Sequence, residues 1–147
     1  MIKTKLYIKC LEILNQQIEK YQREIDIIKE ALESESGQSD NEDGGKGEML
    51  NEIEKYAGYI ETSNRTKEQL KRIDVSQEHT VVGNGSLVET EKNFFYITVA
   101  LGKLDIDDNK NYYSISTDAP IYEYLKGKKS GDSFTFNNLT YNIVNVY

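Results

Sequence analysis

The chain has 147 residues, of which 37% are hydrophobic and 29% charged, and its formal net charge is -7. That balance argues against non-specific binding to bare nucleic acid, though not against binding a nucleoprotein enzyme through local patches. A single cysteine, Cys10, excludes an internal disulfide, and no apolar run approaches the ~20 residues that a membrane span requires. The opening "MIKTKLYIKC" is too short in its apolar part for a secretory signal, so a cytoplasmic protein without a membrane partner is expected. The apolar content is thin for one compact core, and an extended helical part joined to a small globular part fits it better.

The first element is a long helix. Tyr7, Leu11, Leu14, Ile18, Tyr21, Ile25, Ile28 and Leu32 recur in alternating steps of four and three, which is a heptad seam uninterrupted by Gly or Pro. A second apolar stripe follows from about Glu48 to Ile73, on Met49, Ile53, Tyr56, Ile60, Leu70 and Ile73. Its middle is weak, because Ser63, Asn64 and Lys67 occupy seam-like places. Each helix is about 26 residues, hence about 40 Å long. Matched lengths and a short connection predict an antiparallel hairpin over residues 1–75 with its tip near 36–47. An intramolecular hairpin makes a monomer the expected state; a bundle fragment or a self-associating coiled coil would share the same pattern.

After Asp74 the period changes. "TVVGNGSLVET", "NFFYITVA", "NYYSIST", "SFTFN" and "LTYNIVNVY" are β-branched, aromatic and partly alternating. Turn signals separate them at Gly83 and Gly85, at 105–111, at 129–132 and at Asn137–Asn138. "APIYEYLKG" reads as a short helix, with Asp118 as its cap, Pro120 in the first turn and Gly127 at its end. Residues 76–147 therefore form a small α+β domain of about five strands and one helix.

Few residue types here support independent chemistry. His79 is the one histidine, it reads as a surface residue, and no Cys/His cluster accompanies it, so a zinc site or a Ser-His-Asp arrangement lacks partners. Two calcium-loop readings fail. Begun at Asp40, an EF-hand loop places Gly45 correctly but puts Gly44 at a ligand position and Asn51 where the bidentate Glu is needed; begun at Asp105, it puts Lys110 on the glycine position and Ser116 on the Glu. "VVGNGS" lacks the third glycine and the helix of a phosphate loop. What remains is the acidic tip, where Asp40, Glu42 and Asp43 stand in "SESGQSDNEDGGKGEML". It reads either as a solvated loop or as carboxylates carried on a thin rod into a narrow cavity, to share a hard cation that already has other oxygen ligands.

The C-terminal half resembles the C-terminal domain of the GreA/GreB family of bacterial transcript-cleavage factors. The likeness lies in "VVGNGSLVET", in "YYSISTDAPIYEYLKGKKSGDSFTF" and in "YNIVNVY", and the order of parts also agrees. The resemblance implies an FKBP-like domain at 76–147 that docks on RNA polymerase, and a hairpin that enters the polymerase secondary channel. It further implies that tip carboxylates help hold a second Mg²⁺ at the polymerase active site, where the polymerase cleaves the 3′ end of a backtracked RNA. On this reading the protein is not itself an enzyme. Asp40-Asn-Glu-Asp43 has the spacing of the family's Asp-x-x-Glu pair, so Asp40, Glu42 and Asp43 would act on the active site and Asp40 and Asp43 would meet the metal. Lys126, Lys128 and Lys129 of "GKKSGD" either solubilise a turn or contact the polymerase rim. Asp43 replaces the family's Glu, and glycines at 44, 45 and 47 depart from the family tip. Those departures support a second reading, a channel binder that modulates polymerase without promoting cleavage. A third reading, an FKBP-like isomerase or chaperone, rests on fold analogy alone.

Overall fold

The computed structural model describes residues 1–35 and 43–147. Two long helices lead the chain, α1 over Ile2–Glu35 and α2 over Asp43–Lys71. Helix α2 begins earlier than the apolar stripe suggests. The expected tip at 36–47 is therefore shortened at its second boundary, and Gly45, Lys46 and Gly47 are helical. A helix-interior glycine costs about 1 kcal/mol relative to alanine, a penalty that a 29-residue helix absorbs. The chain divides into two compact units, Leu14–Lys67 and a discontinuous one made of Met1–Ile13 with Glu68–Tyr147.

Within Leu14–Lys67 the helices run antiparallel. Gln17 meets Ser63, and Tyr21 meets both Tyr56 and Tyr59, with ring centroids 6.0 and 5.2 Å apart. Leu14 and Ile25 are buried in the seam, and Ile18, Ile28, Leu32, Ile53 and Ile60 are half-buried. The weak middle of the second stripe has a physical content. Ser63 is buried and its hydroxyl donates to Gln17 Oε1 at 3.4 Å. A polar pair inside an apolar seam disfavours shifted alignments, since a slip would strand both groups.

The discontinuous unit holds a six-stranded mixed sheet. Its elements are β1 Leu87–Thr90, β2 Phe94–Ile97, β3 Gly102–Leu104, β4 Tyr112–Ile115, the short helix α3 Tyr122–Leu125, β5 Ser133–Phe136 and β6 Leu139–Val146. The strand order is β3-β4-β2-β1-β6-β5; β2 and β4 are parallel and the other pairs antiparallel. The five expected strands are present, and β3 is an addition. Asn137 and Asn138 both adopt positive φ, 50° and 65°, as the tight primed turn between β5 and β6 requires. Asp118 does not cap α3. The helix is only four residues long, its first turn has no side-chain cap, and Ser116 organises the approach by accepting from the amide of Asp118 through Oγ and of Ala119 through its carbonyl. Gly127, at φ +76°, follows the helix as expected.

Register assigns side chains to the two sheet faces. Val88, Phe95 and Ile97 point one way, and with Leu125, Phe134, Tyr141, Ile143 and Val146 they form the apolar core. The opposite face carries Leu87, Glu89, Phe94, Tyr96, Tyr112 and Ser114. Part of it is covered by the first turns of α1, where Leu6 and Cys10 are fully buried and the Cys10 thiol donates to Ser114 Oγ at 3.7 Å. Ser114 also bonds the carbonyl of Val99 and the hydroxyl of Thr98. The Tyr96 hydroxyl is buried here without a hydrogen-bond partner among the described residues. Burial raises the pKa of this hydroxyl; it also raises that of the buried Cys10 thiol, to about 11, which keeps the thiol un-ionised.

Candidate functional site

Asp40 and Glu42 lie outside the described residues. Asp43 is the first residue of α2, and its side chain also lies outside what is described. The metal role of Asp40 and Asp43 thus stands as an expectation. Among the described residues, no three or more His, Cys, Asp or Glu side chains gather as metal ligands.

The three lysines fall on the turn between α3 and β5. Lys126 donates to Glu123 Oε2 at 2.8 Å, and that hydrogen bond, reinforced by the carboxylate charge, raises its pKa. Lys128 and Lys129 are tied by backbone rather than by charge. The amide of Val82 donates to the Lys128 carbonyl at 2.8 Å, the amide of Lys129 donates to Asp132 Oδ2 at 3.0 Å, and Val81 bridges to Lys129. Gly127 and Gly131 hold the left-handed angles at either end of this turn. The three lysines are therefore unequal, since Lys126 already has a carboxylate partner. Beside them Tyr124 stands half exposed with its ring centroid 5.5 Å from that of Phe136. This aromatic pair was not singled out from the sequence. The signal was available in the alternation of Tyr122 and Tyr124 directly before the lysine run.

His79 keeps part of its surface open to solvent but is engaged on its other side. It is half-buried, and the Lys3 ammonium approaches its Nδ1 at 3.4 Å while donating to the carbonyl of Gln77 at 2.7 Å. Burial first, and then the positive charge of Lys3, lower the imidazole pKa. The residue is thus held toward its neutral form and fastens the segment after α2 to the first turn of α1. Asp74 and Glu78 offset the cost of burying the Lys3 charge.

Next to this joint the Tyr96 face of the sheet opens into a cleft of about 620 Å³. Phe94, Tyr112 and Tyr147 line it, with Glu89 and Lys110. Phe94 and Tyr112 pack ring to ring at 4.7 Å, the Tyr147 hydroxyl donates to Glu89 Oε1 at 2.9 Å, and Lys110 Nζ lies 5.6 Å from the Phe94 ring centre.

No family model matches the chain, and no curated protein matches it. Among solved structures it is similar to one described as "Structure of the transcription factor Gfh1", at 22% identity over 96% of this chain and 92% of that one, with a TM-score of 0.34. No helix among the described residues is long and apolar enough to cross a membrane.

Proposed function

We propose that the chain is a transcription factor that binds RNA polymerase and inserts its helical hairpin into the enzyme's secondary channel. The observation that supports this most is the antiparallel closure of α1 on α2 at Gln17–Ser63 and Tyr21–Tyr59. It makes a two-helix rod within one chain, and the segment joining the helices carries Asp40 and Glu42 and runs directly into Asp43. The quoted GreA/GreB-like motifs then supply the anchoring part, with Lys128 and Lys129 as contacts to an acidic rim and Lys126 in a weaker role because Glu123 already partners it. At the channel's end Asp40 and Asp43, with Glu42 beside them, would add oxygen ligands to a second Mg²⁺, and the polymerase itself would cleave the backtracked RNA. Carboxylates suit this cation, and two-metal phosphoryl transfer needs both the attacking water and the leaving oxygen held in line.

The test is RNA cleavage in stalled, backtracked complexes as Mg²⁺ is varied. The parent protein is expected to lower the Mg²⁺ requirement. Changing Asp40→Asn and Asp43→Asn together is expected to leave polymerase binding intact and to abolish most of the stimulation. Equal stimulation by the double variant would remove the metal role. Binding without stimulation by the parent would establish the modulatory reading in its place.

A further inference from the structure

The cleft on the Tyr96 face has the size and lining of a small-ligand site, with apolar and aromatic walls around a few polar groups. Its charged side chains can be assigned one by one, beside the Met1 α-ammonium at its rim. Lys3 is engaged by the Gln77 carbonyl and has Asp74 and Glu78 as counter-charges. Lys110 has Asp108 nearby. Glu89 accepts a hydrogen bond from Tyr147, but none of the ion pairs among the described residues uses it. One carboxylate without a cationic partner thus faces a cleft walled by three aromatic rings. One of those walls already receives an ammonium, since Lys110 stands over Phe94. Aromatic faces attract cations through the ring quadrupole, most strongly where water is partly excluded.

We propose that this cleft binds an aliphatic ammonium supplied by a free polyamine, with Glu89 as its counter-ion and Phe94, Tyr112 and Tyr147 as its aromatic wall. The alkyl stem of such a ligand suits Leu87, which also lines the cleft. Lys110 competes for the same ring face, so the protein's own side chain weakens the site and sets how much ligand is needed to fill it.

Spermidine titrated into the full chain at physiological salt, followed by tyrosine ring NMR signals, tests this. The parent is expected to show saturable shifts of the Tyr112 and Tyr147 rings. Glu89→Gln keeps an acceptor for Tyr147 and is expected to weaken binding about tenfold, the loss of one charge-assisted contact. Lys110→Ala frees the Phe94 face and is expected to tighten binding about threefold. Glu61→Gln, which removes an exposed carboxylate on α2, controls for loose attraction to an acidic protein and is expected to change nothing. Absence of saturable shifts, an unchanged affinity in Glu89→Gln, an equal loss in Glu61→Gln, or weaker binding in Lys110→Ala would each overturn the proposal.

Discussion

The hairpin of residues 14–67 and the sheet it shares a chain with are stabilised in opposite ways. The sheet buries a contiguous set of large apolar side chains on one face, among them Val88, Phe95, Ile97 and Leu125. The hairpin buries Leu14 and Ile25, with Ser63 between them in the same seam, and leaves its other seam residues half-exposed. Two helices alone have only one contact line each, so most apolar side chains between them keep an open flank to water, Leu14 and Ile25 excepted. The sheet face on which Leu125 of α3 packs is closed more completely. The difference teaches that the sheet is held by broad apolar burial and the hairpin by a narrow seam with one polar pair in it.

The comparison breaks first at matched truncations. Leu125→Ala empties a fully buried position in the sheet core and is expected to cost about 3 kcal/mol, whereas Ile25→Ala in the open seam is expected to cost about 1–2 kcal/mol. Hydrogen exchange resolves the two, because each loss should appear in the amides of its own unit. An equal cost at both sites would show that the seam is as closed as the core.

A smaller effect of opposite sign is expected from Gln17→Leu combined with Ser63→Leu. Replacing a buried polar pair by apolar groups should stabilise the hairpin by about 1 kcal/mol while loosening its alignment. Crosslinking between cysteines placed at Tyr21 and Tyr59 measures the alignment. A uniquely aligned, stabilised variant would show that the polar pair specifies nothing.

The smallest expected effect is the acid response of the joint at His79. Its folded-state pKa lies below the ordinary 6.5, so the unfolded chain binds the proton more readily. Stability from this residue is complete above pH 6.5 and declines as the pH falls toward the depressed value. Asp74, Asp108 and Glu91 also have lowered pKa values, but their contributions are lost only below the ordinary carboxylate values of 3.8 and 4.5. Denaturant midpoints at pH 7.5 and 5 should therefore differ in the parent and converge in His79→Gln. A slope unchanged by that substitution would assign the acid response elsewhere.

The helices were legible because a heptad seam is periodic over many residues and survives a few errors. Their boundary was not, since Gly45 and Gly47 carry a strong turn signal that a long helix overrides. Ser63 looked like a gap in the stripe, and only its partner Gln17, distant in sequence, makes it a specific contact. On the β side, the Asn137–Asn138 turn was legible from the dipeptide alone. β3 was not, because Gly102–Leu104 is too short to alternate. The parallel pairing of β2 with β4 was likewise hidden, since alternation fixes a strand's faces but not its neighbours. Of the candidate site residues, the lysines fall on the turn assigned to them. Glu89 gave no warning, being one polar position in an ordinary alternating strand. His79 read as a plain surface residue because its contact with Lys3 joins positions remote in sequence.

Helix α1 belongs to both compact units, with residues up to Ile13 in one and Leu14 onward in the other. During synthesis this divides one helix between two moments. The contacts of Gln17 with Ser63 and of Tyr21 with Tyr59 become available as soon as α2 has left the ribosome. Leu6 and Cys10 must wait, because Cys10's partner Ser114 emerges far later and the enclosed loop is correspondingly long. The nascent hairpin is therefore finished while the apolar first turns of α1 are still bare, and through that interval those turns are the exposed, association-prone end of the growing chain.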